Sequence, residues 1–158
     1  MPRRPARILE TLDPEALAAE AVEAATIVAA RLIALRREDI AAVVAYASRG
    51  GPVPAALAEV TATLGESVVG GAGALERHAR LPGDPGPLDL ALHAAWARSR
   101  IDAGQEVPAS ALVLLGGYAP GTGTANRLVR AGELRARRVA GDWWVEAGDA
   151  RAWLAGRR

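Results

Sequence analysis

Between residues 107 and 154 the hydrophobic period of the chain changes several times, and glycine or proline marks most of the changes. Residues 107–115 run Val107-Pro-Ala-Ser-Ala-Leu-Val-Leu-Leu115, a short apolar stretch that Gly116 can end as a helix. Ala125, Leu128 and Val129 then fall at i, i+3 and i+4, a core-facing stripe on a second helix. Gly132 stands where a left-handed residue closes such a helix. Leu134–Val139 alternates as a strand, Ala140-Gly141-Asp142 is a hairpin turn, and Trp143-Trp144-Val145 returns. Ala150, Trp153 and Leu154 form the apolar face of a last helix. The order is short helix, turn, helix, basic strand, turn, strand, closing helix.

The other sides of the second helix carry Thr122, Gly123, Asn126, Arg127 and Arg130, short polar and guanidinium groups suited to base edges and phosphates. Arg135, Arg137 and Arg138 crowd into one short strand, where they are expected to line one phosphate-facing side. Trp143 and Trp144 are adjacent and face opposite ways on a strand, so one of them is expected in the core.

The stretch Arg127-Leu-Val-Arg-Ala-Gly-Glu-Leu134, the basic strand, the tryptophan after the hairpin and the terminal Ala152-Trp-Leu154 resemble the winged helix-turn-helix of the MerR and excisionase families. The likeness covers about a third of the chain. It implies a helix in the major groove of double-stranded DNA and a two-stranded wing on the neighbouring backbone. The DNA contacts it implies are Thr122, Thr124, Asn126, Arg127, Arg130, Arg135, Arg137 and Arg138. Two departures stand out: the turn Gly117–Gly121 is a few residues longer than the family's, and Glu106-Val107-Pro108 replaces its Ser/Thr cap.

Upstream, the composition points to close-packed helices. Half the residues are apolar, yet there is no Phe and only 4% are aromatic, so the core is built from Ala, Leu, Val and Ile. Asp13-Pro14-Glu15 is a helix start with an Asp cap and Pro in the first turn. Apolar residues from Leu17 to Leu35 continue it, and Asp39 is expected either to cap a second helix or to lie within one helix spanning 14–48. A third helix is expected from Pro54 to Leu64, and a fourth over Leu88–Ile101 with one buried face bearing Leu88, Leu92, Ala95, Trp96 and Ser99. Residues 81–87 are the clearest loop. The expected fold is thus mainly α: a flexible basic arm over 1–9, an all-helical region over 10–104, and a winged module over 105–158.

The charge is uneven. Residues 1–104 hold eleven Arg against thirteen Asp and Glu, whereas residues 105–158 hold eight Arg against five. There is no Cys, which excludes disulfides, thiolate metal sites and Cys nucleophiles. His78 and His93 lack companions at metal-ligand spacing and read as ordinary helix residues. No catalytic constellation stands out, so neither an enzyme nor a cofactor is expected. Charged residues interrupt the apolar stretch 16–35, so no membrane span and a cytoplasmic location are expected. The leading functional expectation is a DNA-binding regulator or excisionase-like factor, homodimeric through residues 10–104. The alternative is a protein-interaction module such as an antitoxin or a phage packaging subunit.

Overall fold

The computed structural model describes residues 8–28, 36–61 and 86–157. The expectations for the first seven residues of the basic arm, for the core face beyond Val28, for residues 66–81 and for His78 lie outside the described residues; the last two residues of the expected arm are not free, since Ile8 and Leu9 open a 3-10 turn and Leu9 is buried in the core. The described chain is mainly helical with a small antiparallel sheet. A 3-10 turn, Ile8–Thr11, precedes α1, Pro14–Val28. As expected, Asp13 caps α1: its Oδ1 accepts the N–H groups of Glu15 at 3.1 Å and Ala16 at 3.3 Å.

The helix α2, Arg37–Arg49, follows. Arg36 has extended backbone, which rules out a single helix across 14–48. Asp39 is not the cap either; it sits in the first turn and accepts a hydrogen bond from Arg36 Nε at 3.2 Å. Of the expected third helix, residues 57–61 are helical and 55–56 form a turn.

At the centre lies α3, Pro87–Asp102. Asp89 reaches back to accept the Gly86 N–H at 2.8 Å and so fastens its first turn. The expectation of a single buried face is wrong: every residue from Leu90 to Ala97 is buried. Four of those eight are alanines, at 91, 94, 95 and 97. Small side chains let neighbours approach on all sides, so the helix is enclosed rather than amphipathic. It packs on α1 and α2, and also on the elements that follow it.

Those elements are β1 (Val107–Pro108), α4 (Ala109–Leu115), α5 (Thr124–Arg130), β2 (Arg137–Val139), β3 (Asp142–Val145) and α6 (Ala147–Ala155). The sheet has three strands in the order β1-β3-β2, not the two expected. The added strand pairs Val107 with Val145 and Pro108 with Trp144. It stays two residues long, as suits a segment ending in a residue with no N–H to donate. Strand β2 is shorter than the run 134–139, because Leu134 turns inward and is 2% exposed. Neither Trp143 nor Trp144 is in the core; both are half-buried, and Val107 and Val145 fill the inner face instead. One buried cluster runs from Leu9 to Ala150, so the boundary drawn at 104/105 crosses a continuous core.

Both α4 and α5 end as expected, at glycine. Gly132 has φ +74°, and the N–H groups of Gly132 and Glu133 return to Val129 O at 3.1 Å and Leu128 O at 3.0 Å. Gly116 matters for a different reason: a Cβ there would lie 2.5 Å from Cη2 of Trp153. Trp153 has little freedom to yield, because the Arg157 guanidinium covers its ring at 4.1 Å and the Tyr118 ring lies 6.4 Å away. Gly116→Ala should therefore cost about 1–3 kcal/mol, read as a lower urea midpoint at unchanged m-value. Gly148→Ala is the control: nothing lies within 4 Å of its Cβ position, so it should be neutral or mildly stabilising.

Candidate functional site

The last third of the chain builds a concave surface from α4, the turn after it, the start of α5 and the β2–β3 hairpin. α5 lies with Leu128 inward at 1% exposure and Ala125 and Val129 half-buried, the stripe its spacing requires. Asn126, Arg127 and Arg130 are exposed on the opposite side. Neither arginine has an ion-pair partner among the described residues.

The two threonines behave differently. Thr122 is exposed and donates to Ala119 O at 3.1 Å. Thr124 is 6% exposed, and its hydroxyl lies 2.6 Å from that of Thr122. Thr124 thus anchors the entry to α5 and presents no free surface.

The hairpin closes on Ala140 and Gly141, both at positive φ (+49° and +91°), which is the two-residue turn that matches strand twist. Register puts Arg138 opposite Trp143 and Arg137 opposite Trp144. Strand alternation then sends Arg137 and Arg138 to opposite faces, so the three hairpin arginines do not line one side.

On one face Arg138 lies over the Trp143 ring at 5.4 Å, and Trp143 Nε1 donates to Asn126 Oδ1 at 2.8 Å. That bond ties the hairpin to α5. On the other face Arg137 makes two hydrogen bonds to Glu106, at 2.7 and 2.6 Å. Those bonds hold the Glu106 carboxyl below its ordinary range and raise the Arg137 guanidinium. Arg137 is therefore neutralised within the fold. Arg135 is exposed and has no ion-pair partner among the described residues.

Composition and spacing gave no sign of Glu106 as a partner of Arg137, because the two are 31 residues apart. The same holds for Arg100. It donates to Glu106 O at 2.7 Å and packs between the rings of Trp96 (5.4 Å) and Trp144 (5.8 Å).

Between the turn, α5 and the hairpin lies a cleft of about 560 Å³ lined by Val113, Pro120, Thr122, Asn126, Arg138 and Trp143, with His93 of α3 also in its wall. His93 is 1% exposed, stacks on Trp96 at 5.6 Å, and has no hydrogen-bond partner for Nδ1 among the described residues. It is not the ordinary helix residue its spacing suggested. Among the described residues no three His, Cys, Asp or Glu side chains gather as metal ligands, and no helix is long and apolar enough to cross a membrane. No family model matches the chain, and no curated protein or solved structure matches it.

Burial pushes the His93 pKa down from 6.5 to about 4. The folded state thus refuses a proton that the unfolded chain accepts below 6.5. Stability from this group is complete above pH 6.5 and declines as pH falls toward 4, by about 3 kcal/mol in all. His93→Leu removes the titration, so its urea-derived stability should lose that part of the slope relative to wild type. Parallel curves for the two proteins between pH 6.5 and 4 would show that His93 is not held neutral.

Proposed function

We propose that residues 105–158 form a winged helix-turn-helix that binds double-stranded DNA, with α5 in the major groove and the β2–β3 hairpin against the adjacent backbone. One observation carries the reading. A short helix buries Leu128 and turns Asn126, Arg127 and Arg130 outward, and the hairpin adds Arg138 to the cleft that Asn126 lines. Two guanidinium groups with no ion-pair partner among the described residues, exposed on one helix, have little packing purpose, and they match the acceptors of phosphates and guanine edges. In this reading α4 crosses the backbone, α5 supplies the base contacts, and Arg135 and Arg138 take phosphates.

Self-association through the helical region remains part of the proposal, because a single module covers a short DNA site and two-fold binding extends it. The described residues add no apolar contact face for it: Val53, 49% exposed, is the large hydrophobic left outside among them. Light scattering on the full chain should give a dimeric mass; a monomeric mass at micromolar concentration removes the dimer and leaves the DNA reading standing.

The reading as a whole is tested by titrating random duplex DNA at several salt concentrations. Affinity should fall steeply with salt. Arg127→Ala or Arg130→Ala should weaken binding to a selected site by about 1–3 kcal/mol where the residue reads a base. The Arg135→Ala, Arg138→Ala double variant should weaken all sequences alike and lower the logarithmic salt slope by about two. The charge-neutral double variant Arg137→Ala, Glu106→Gln should change neither, because the two charges already cancel within the fold. A folded protein that binds no duplex at 50 mM salt would overturn the proposal.

A further inference from the structure

The hydrogen bond from Trp143 to Asn126 determines which chemistry Asn126 can show to a base. An indole Nε1–H only donates. The amide atom facing it at 2.8 Å is therefore Oδ1, and the Nδ2 amino group points away from the hairpin. Asn126 is exposed and lies in the first turn of α5. Its outward edge thus offers two N–H donors, while its oxygen is engaged with the protein.

We infer, resting on the DNA reading above, that Asn126 selects a keto base, guanine or thymine, and that Trp143 is the positioning residue that sets this choice. An asparagine that reads adenine must aim both amide atoms at the base, the oxygen taking N6–H and the nitrogen giving to N7. Here the oxygen is turned toward the hairpin. Guanine shows N7 and O6 to the major groove, and thymine shows O4; both fit a donor edge, whereas adenine answers it at N7 alone and sets its N6 donor against it. Cytosine shows a donor there and is disfavoured. A neighbouring group acts in the same direction. Arg138 covers the Trp143 ring at 5.4 Å and lines the same cleft as Asn126, so a further set of N–H donors stands beside the amide.

The full-length chain is used for the test. Sites are selected from random duplexes, and the position answering to Asn126 is the one whose preference Asn126→Ala flattens. Wild type should favour guanine or thymine there over adenine by roughly fivefold or more. Trp143→Phe keeps an aromatic ring for Arg138 and removes the donor, so the amide is free to rotate. Discrimination against adenine should then fall below about twofold at an unchanged salt slope. Loss of packing alone would lower affinity for every sequence and leave the preference where it was.

Asn126→Asp gives a second arm that does not depend on altering Trp143. It keeps an oxygen for the indole and turns the outward edge into an acceptor, so preference should move to cytosine or adenine. Adenine favoured by wild type at that position overturns the inference, and so does a Trp143→Phe protein, folded by circular dichroism, that keeps the wild-type preference. Salt-dependent DNA binding with no position that answers to Asn126 also overturns it while leaving the interface standing. A folded wild type that binds no duplex overturns the interface and this inference together.

Discussion

The enclosure of α3 is the constraint on which the rest of the structure depends. A helix whose middle, Leu90–Ala97, is buried on every side leaves its two ends to tie it to the rest of the chain. At its start Asp89 takes the Gly86 N–H. At its end Arg151, carried by α6, donates to Ile101 O at 2.5 Å. From α2, Tyr46 donates to Asp102 Oδ2 at 2.5 Å, and burial together with that carboxylate raises the Tyr46 pKa. Arg98 returns to Ala47 O at 3.2 Å. The helices before α3 and the elements after it are thereby fixed to the same rod, and the continuous core from Leu9 to Ala150 is the consequence.

Local signals were legible in the sequence where the physics is local. Asp13 beside Pro14 caps α1, Gly132 closes α5 in the left-handed region, and Leu128 faces inward on the stripe it shares with Ala125 and Val129. What the sequence did not show depends on partners distant along the chain. A third strand of two residues carries no period that a window could detect, and it exists because Val107 meets Val145. The run Leu90–Ala97 has too many alanines to reveal a face, and only the packed neighbours show that it needs none. The cluster Arg135, Arg137 and Arg138 reads as one basic patch by composition. The register with Trp143 and Trp144 divides it, and Glu106 removes one member.

That division changes what the positive charge of the C-terminal third means. Arginines there do three different jobs. Arg151 and Arg157 hold structure, the first on carbonyls of α3 and the second between the Tyr118 and Trp153 rings, where it also donates to the Tyr118 hydroxyl. Arg137 is neutralised by a carboxylate. Arg127, Arg130 and Arg135 stay exposed without an ion pair among the described residues, and Arg138 keeps its charge while resting on Trp143. The proposed DNA contact therefore rests on about half of the guanidinium groups that a charge count would assign to it. It also draws on the side chains that leave the cleft donor-rich.

The long turn between α4 and α5 shows why length is a poor measure of freedom at such a site. Its first half is held from outside: Tyr118 is fastened by Arg157 and Trp153, both from the C-terminal end of the chain. Its second half is held from within, by Thr122 on Ala119 O and by the Thr122–Thr124 pair. Trp153 sits against Gly116, the residue that ends α4, and would have to shift to admit a side chain there. The start of α5 is thus set by contacts that come from α6 and the residues after it as well as from the turn itself. Trp143 then fixes the hairpin to that start through Asn126. The surface proposed to read DNA is therefore positioned in part by the last helix, through Trp153 on Gly116 and Tyr118, and loosening α6 would shift the start of α5 and the hairpin tied to it.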